Sequence, residues 1–134
     1  MERAGGKVNA DSSGCCIEVH KHLGPGLLES VYQKCLIEEF IAVKFSVQSQ
    51  LHVSIKYKDK NPGGILKLDL VVNNLIILEL KSVEQMIPLY WAQLLSYLEL
   101  TNIPKGLLIN FNCEAIKSQM ISLVLDNFSK LPQA

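Results

Sequence analysis

The sequence predicts an α/β fold: a small single-domain mixed β-sheet flanked by helices. Three observations predict it. Segments with helical spacing of apolar residues precede and follow runs with a period of two, in the order helix, helix, three strands, helix, strand. Turn-forming clusters, "LGPG", "KDKNPGG" and Asn73-Asn74, fall between those segments. The length of 134 residues, 49% of them hydrophobic, suffices for one core and is too short for two.

Residues 1–10, "MERAGGKVNA", are small and polar and are expected to be loose, leaving a domain over 11–128 and a tail over 129–134. A helix is expected over 11–23, stopped by Gly24, Pro25 and Gly26. A second runs over 27–42, with Leu28, Val31, Cys35 and Leu36 near the spacing of one buried stripe. In "VKFSVQSQLHVSIKY" the residues Phe45, Val47, Leu51, Val53, Ile55 and Tyr57 occupy odd positions, which predicts a long strand with one buried face. Strands over 65–72 and 75–81 flank Asn73-Asn74. Pro88 suits the first turn of a helix over 87–100, and "KGLLINF" reads as a short buried strand. Residues 114–128 read two ways, "EAIKSQM" as helix and "MISLVL" as strand.

The formal net charge is zero, so no broad basic field draws in nucleic acid; contact with it needs a local patch or a bound cation. Cys15, Cys16, Cys35 and Cys113 form no CxxC pair and no disulfide framework, which points to thiols in a reducing cytosol. There is no apolar run of membrane-spanning length and no signal-peptide core. A soluble, cytoplasmic protein without membrane contact is expected.

The chemistry concentrates in "LKLDLVVNNLIILELKS", where Asp69, Glu79 and Lys81 stand among apolar residues. Taken as regular strands, Leu66, Leu68 and Leu70 share one face, and Lys67, Asp69 and Val71 the other. A two-residue turn at Asn73-Asn74 mismatches the apolar faces of the hairpin. A loop over 73–75, with Asn74 or a neighbour in the left-handed region, repairs them: Val72 opposes Ile76, Leu70 opposes Leu78, and Asp69 opposes Glu79. Two carboxylates then sit about 5 Å apart. Either they belong to a solvated polar face with a salt bridge to Lys81, or a divalent cation lies between them. Two helical pairs favour the second reading: Glu29 with Tyr32 one turn on, and Gln93 with Tyr97 four residues on.

Here the chain resembles a known family. "GPGLLESVY" carries the Gly26-x-x-Glu29-x-x-Tyr32 signature of the bacterial GxxExxY proteins, and "LDLVVNNLIILELKSVE" and "AQLLSYLELTNIPKGLLINF" are similar to the same family. That family lies in the PD-(D/E)xK nuclease superfamily, in its lambda-exonuclease-like QxxxY branch. The resemblance spans about residues 16–112 and implies a restriction-endonuclease-like core. It implies Mg²⁺ or Mn²⁺ held by Asp69, Glu79 and the Leu80 carbonyl, with Glu29 completing the acidic cluster directly or through water. Lys81 would position or help deprotonate the attacking water, and Gln93 and Tyr97 would orient the groups around it. Leu68 stands where the superfamily motif has proline, and the Gly and Arg expected near the end of the domain are replaced by "KSQMISLVL".

The function implied is a metal-dependent phosphodiesterase acting on nucleic acid, with DNA the expected substrate. The alternatives are a nucleic-acid-binding or regulatory module that keeps the fold without turnover, and a structural homo-oligomer. Zero net charge suits weak intrinsic affinity or a helper protein; a homodimer is the other expected assembly. Tyr32, Lys56, Lys58 and Lys67 are the candidate nucleic-acid contacts. For Lys56, Lys58 and Lys60 the competing reading is a charged edge that discourages strand aggregation. His20 and His22 are expected at the surface or helix end, His52 on an exposed strand face, and Trp91 in the core or an interface.

Overall fold

The computed structural model describes residues 4–125. The chain order is helix α1 (Ala4–Leu23), helix α2 (Glu29–Ala42), strands β1 (Val47–Ser54), β2 (Ile65–Val72) and β3 (Ile76–Lys81), helix α3 (Pro88–Thr101), strand β4 (Lys105–Asn110), a 3₁₀ turn (Ile116–Gln119) and strand β5 (Met120–Val124). One five-stranded sheet has the order β1-β2-β3-β4-β5. Among the described residues only the β3–β4 pair is parallel, joined by the α3 crossover; the other pairs are antiparallel. The mixed sheet flanked by helices is the architecture expected.

The centre of the sheet, β3 and β4 with the inner half of β2, is buried on both sides. Leu70, Val72, Ile76, Leu78, Leu80, Leu107 and Ile109 pack with Cys15, Cys16 and Val19 of α1 and Tyr32, Leu36 and Phe40 of α2. On the opposite side Leu68, Val71, Ile77 and Leu108 pack with Leu94 and Leu98 of α3. Close approach of α3 requires Gly106, because a Cβ there would lie 2.9 Å from Leu94 Cδ2.

Several boundaries differ from the sequence reading. Helix α1 starts at Ala4, so the backbone from 4 to 10 continues the helix that was expected to begin near 11; helix once nucleated propagates at one hydrogen bond per added residue. The stripe of α2 is Tyr32, Leu36 and Phe40, all fully buried at four-residue spacing, whereas Leu28 is 75% exposed and Val31 is exposed too. Strand β1 is shorter than expected, and Tyr57 lies beyond it, 61% exposed. Residues 116–124 supply both a 3₁₀ turn and a fifth strand, so each of the two readings of that stretch held in part. Residues 126–128 of the expected domain and the expected tail over 129–134 lie outside the described residues. His20 lies in the last turn of α1, as one of its two expected placements had it, but is buried; its Nε2 lies 2.7 Å from the Cys113 carbonyl and ties α1 to the segment after β4. His22 is exposed and contacts Glu18. All four cysteines are free.

The largest departure is a change of face in the middle of β1 and β2. Regular alternation keeps Leu66, Leu68 and Leu70 on one face. Instead Leu66 and Leu68 pack on the α3 side, and Leu70 and Val72 on the α1/α2 side. Strand β1 switches in step: Val47 is on the α1/α2 side, Leu51 and Val53 on the α3 side. The register is constant across the switch, from Ser49↔Leu70 to Leu51↔Leu68, with Gln50 and Asp69 between them. Gln50 holds a left-handed backbone, φ 51°, which rotates the next residue out of the alternation. Asp69 therefore sits at the point where β2 turns over.

Candidate active site

The β2–β3 register is the one the apolar pattern demands: Leu70↔Leu78, Val71↔Ile77 and Val72↔Ile76. The loop is 73–75, and both Asn73 (φ 53°) and Asn74 (φ 55°) take the left-handed conformation that Asn tolerates. Ladder pairing ends at Leu70↔Leu78, so Asp69 and Glu79 face one another one step beyond it. There side chains replace the ladder. The Asp69 N–H donates to Glu79 Oε1 at 3.3 Å, and the Leu80 N–H donates to Asp69 Oδ2 at 2.9 Å. The two carboxylates bridge the parting of the strands, each satisfying a backbone donor that would otherwise lose its partner.

Glu79 is 8% exposed. Burial first, and then the charge on Asp69, push its carboxyl up to about 8, and a hydrogen bond to the Asp69 side chain adds to the rise. The Asp69 backbone hydrogen bond and the Lys81 charge act in the opposite sense without cancelling it. Tyr97 of α3 senses the same pair: burial, then the charges of Glu79 and Asp69, raise its hydroxyl pKa. The helix and the acidic pair thus face each other. Gln93, one turn earlier on α3, is exposed.

Lys81 shares its strand face with Glu79. Its ammonium lies 4.3 Å from the centre of the Tyr90 ring, a cation–π contact that fixes the side chain against α3. No ion pair closes between Lys81 and a carboxylate among the described residues; the lysine acts on Glu79 through space. Leu80 buries its side chain in the α1/α2 core.

Glu29 opens α2 and accepts the Ser82 N–H on its Oε2 at 3.0 Å; the Ser82 hydroxyl donates to the Leu27 carbonyl at 2.6 Å. These bonds dock the start of α2 on the exit of β3, next to Lys81. Among the described residues no three His, Cys, Asp or Glu side chains form a cluster, so the pair is not extended to a triad by Glu29. Tyr32 is corrected outright. It is fully buried, stacks on Phe111 with ring centres 4.3 Å apart, and donates its hydroxyl to the Gly24 carbonyl at 2.5 Å while accepting the Leu27 N–H. A residue so enclosed cannot touch nucleic acid. With Gly26 at φ 95°, the three motif residues form one device that holds the α1–α2 loop against the end of β3. Lys56, Lys58 and Lys67 are exposed on the β1–β2 hairpin.

Three contributors escaped the sequence reading. Tyr90 and Ser82 have no local signature. Asn110 does carry a signal: a lone polar side chain at the end of an apolar run, on a strand paired in parallel with β3, at the carboxyl edge where α/β sheets form clefts. It is 2% exposed. Its Oδ1 accepts the N–H groups of Val83 and Asn112, both at 3.1 Å, and its Nδ2 donates to the Val83 carbonyl at 3.0 Å. Asn110 thereby fixes the segment that leads from Lys81 to α3.

Fold and site together define a class: small α/β proteins that hold two carboxylates and a lysine where two central strands part. The chain belongs to the PD-(D/E)XK nuclease superfamily, whose family model matches residues 7–123. No curated protein and no solved structure matches it.

Proposed function

We propose that the protein is a Mg²⁺- or Mn²⁺-dependent nuclease of the GxxExxY, QxxxY-type branch, acting on DNA. The observation that carries this reading is the facing of Asp69 and Glu79 across the parted strands. Two carboxylates, joined by the Leu80 carbonyl that the resemblance implies, would form a hard-oxygen donor set that fits a small divalent cation, which commonly takes one or two protein carboxylates and completes its shell with water and phosphate oxygens. When bound, such an ion supplies Lewis-acid polarisation of a phosphodiester and activation of water.

The chain's own residues would do the rest. Asp69 and Glu79 hold the ion, and burial of Glu79 makes its ionised form wait for a positive partner. Lys81, held in place by Tyr90, offers an ammonium to the attacking oxygen or to the phosphate, where charge develops. Tyr97 faces the pair from α3, and with Gln93 would orient the phosphate. Glu29 would act by fixing the end of β3. No helix among the described residues is long and apolar enough to cross a membrane, and four free thiols suit a reducing cytoplasm. The engagement of Glu29 by Ser82 favours the second reading, a nucleic-acid-binding module of the same fold without turnover.

The test is degradation of supercoiled plasmid and linear DNA with Mg²⁺ or Mn²⁺, for wild type, Asp69→Asn and Lys81→Ala. Cleavage lost in both folded variants is expected. Undiminished cleavage by Lys81→Ala would overturn the mechanism, and a wild type that binds DNA but never cuts it would establish the second reading.

A further inference from the structure

The connection between β1 and β2 carries a feature the acidic site does not use. Tyr57 and Lys60 exchange both backbone hydrogen bonds, at 2.8 and 2.9 Å, around Lys58 (φ 49°) and Asp59 (φ 63°). This is a two-residue turn with both central residues left-handed, the form that Asn-Gly or Asp-Gly satisfies without strain. Lys58 and Asp59 hold it with side chains instead. The turn makes Tyr57 and Lys60 direct cross-strand neighbours. Tyr57 is 61% exposed, and Lys58 Nζ lies 5.4 Å from its ring centre. Lys56, Lys58, Lys60 and Lys67 against the single Asp59 make residues 55–67 basic in a chain of zero net charge, so the rest of the molecule is net acidic.

We propose that this hairpin tip binds single-stranded DNA, with Tyr57 stacking on an unpaired base and Lys56, Lys58 and Lys60 meeting the flanking phosphates. An exposed ring interleaved with lysines is what a single strand needs and a duplex cannot use, because paired bases have no free face. Charge complementarity selects a polyanion over an apolar peptide: the lysines surround the ring, and one of them already lies over it. The tip is also tied to the acidic pair. Beyond the turn the chain enters β2 at Ile65, and from there Asp69 is four residues or about 13 Å further on, so a strand held at the tip and laid along the ribbon heads towards the carboxylates. The choice of ligand rests on the nuclease reading; the binding test does not require cleavage.

The experiment is fluorescence anisotropy of labelled dT12 and of a blunt duplex of equal length, in EDTA, over a range of salt. Proteins are wild type, Tyr57→Phe, Tyr57→Leu and the double variant Lys58→Gln/Lys60→Gln, each matched by thermal melt. Tyr57→Leu is expected to weaken dT12 binding about ten-fold, the loss of one base–aromatic stack. Tyr57→Phe should bind dT12 like wild type, and duplex binding should change little in either. The double lysine variant should flatten the salt dependence by a log–log slope of about 1.4, two phosphate contacts on a single strand. Equal dT12 affinity for wild type and Tyr57→Leu would overturn the proposal, as would a wild type that does not bind dT12. Retained dT12 binding in a protein that never cuts DNA would refute the nuclease reading and leave this one standing.

Discussion

Glu79→Gln is expected to stabilise the metal-free protein, and increasingly so as the pH rises. The carboxyl titrates near 4.5 in a solvated chain and at about 8 in the fold. Because the folded state holds the proton more tightly, stability contributed by this group is complete below 4.5 and is lost as pH rises through about 8. A displacement of that size is worth about 5 kcal/mol at most, at ~1.4 kcal/mol per pH unit. The Asp69 N–H at 3.3 Å and the Lys81 charge remain available to the ionised form, and local opening lets water reach it. About 2–3 kcal/mol should therefore be realised. Glutamine keeps the acceptor for the Asp69 N–H and carries no charge. In EDTA, melting temperatures of wild type and variant should coincide near pH 5 and diverge by about 10 °C at pH 8.5, at a few degrees per kcal/mol for a chain of this size. Adding Mg²⁺ at pH 8.5 should raise the wild-type curve by mass action and leave the variant in place. Parallel pH profiles for the two proteins in EDTA would refute the reasoning, because a carboxyl left at its ordinary pKa gives the wild type no extra slope above pH 5.

Gly106→Ala should destabilise by about 1–3 kcal/mol, an overpacking cost, because its Cβ meets Leu94 at 2.9–3.1 Å inside a filled core; an unchanged urea midpoint would show that α3 yields freely. Asn110→Ala should cost about 2 kcal/mol or more through stranded backbone groups of Val83, and hydrogen exchange at the Val83 amide should accelerate; protection equal to wild type would deny the lock. Tyr90→Leu should move the Lys81 side-chain proton resonances downfield as the ring current disappears, whereas Tyr90→Phe should preserve them; identical shifts in all three would mean the ammonium does not rest on the ring in solution.

The parts legible in the sequence are those fixed by a pattern repeated over many residues. Leu70, Val72, Ile76 and Leu78 must face one core, and that requirement alone set the register and the loop at 73–75. Pro88 at the first turn placed α3. What was hidden depends on single backbone angles. Gln50 in the left-handed region carries no compositional mark, yet it turns two strands over, so a period-two reading of β1 and β2 carried Phe45 through Tyr57 along one face when the chain changes face after Ser49. The sequence offers Tyr32 as a nucleic-acid contact on the face of Glu29; its burial comes from Leu36 and Phe40 at the following fours, together with Phe111 from a distant strand end.

The turnover at Gln50 and Asp69 explains why the acids could be read from sequence although the strand geometry could not. In a continuous ladder, both backbone N–H groups that Asp69 and Glu79 now satisfy would bond to carbonyls across the strands, and the carboxylates would stand on a face. One of those faces is filled by α1 and α2, the other by α3, so neither would admit a pair of charges. Ending the ladder at Leu70↔Leu78 puts the carboxylates in the gap between the strands. Each gains a backbone donor there, at 3.3 and 2.9 Å. Their opposition needs only the register, which the leucines set; their orientation needs the break, which the left-handed Gln50 and the change of face supply. The same break sets the direction of the outer half of β2, Ile65 to Asp69, which leads in from the turn that carries the lysines and Tyr57. Asp69 in the middle of β2 and the basic tip beyond its outer end are thus linked by the outer half of one distorted strand, and changing the distortion should disturb both.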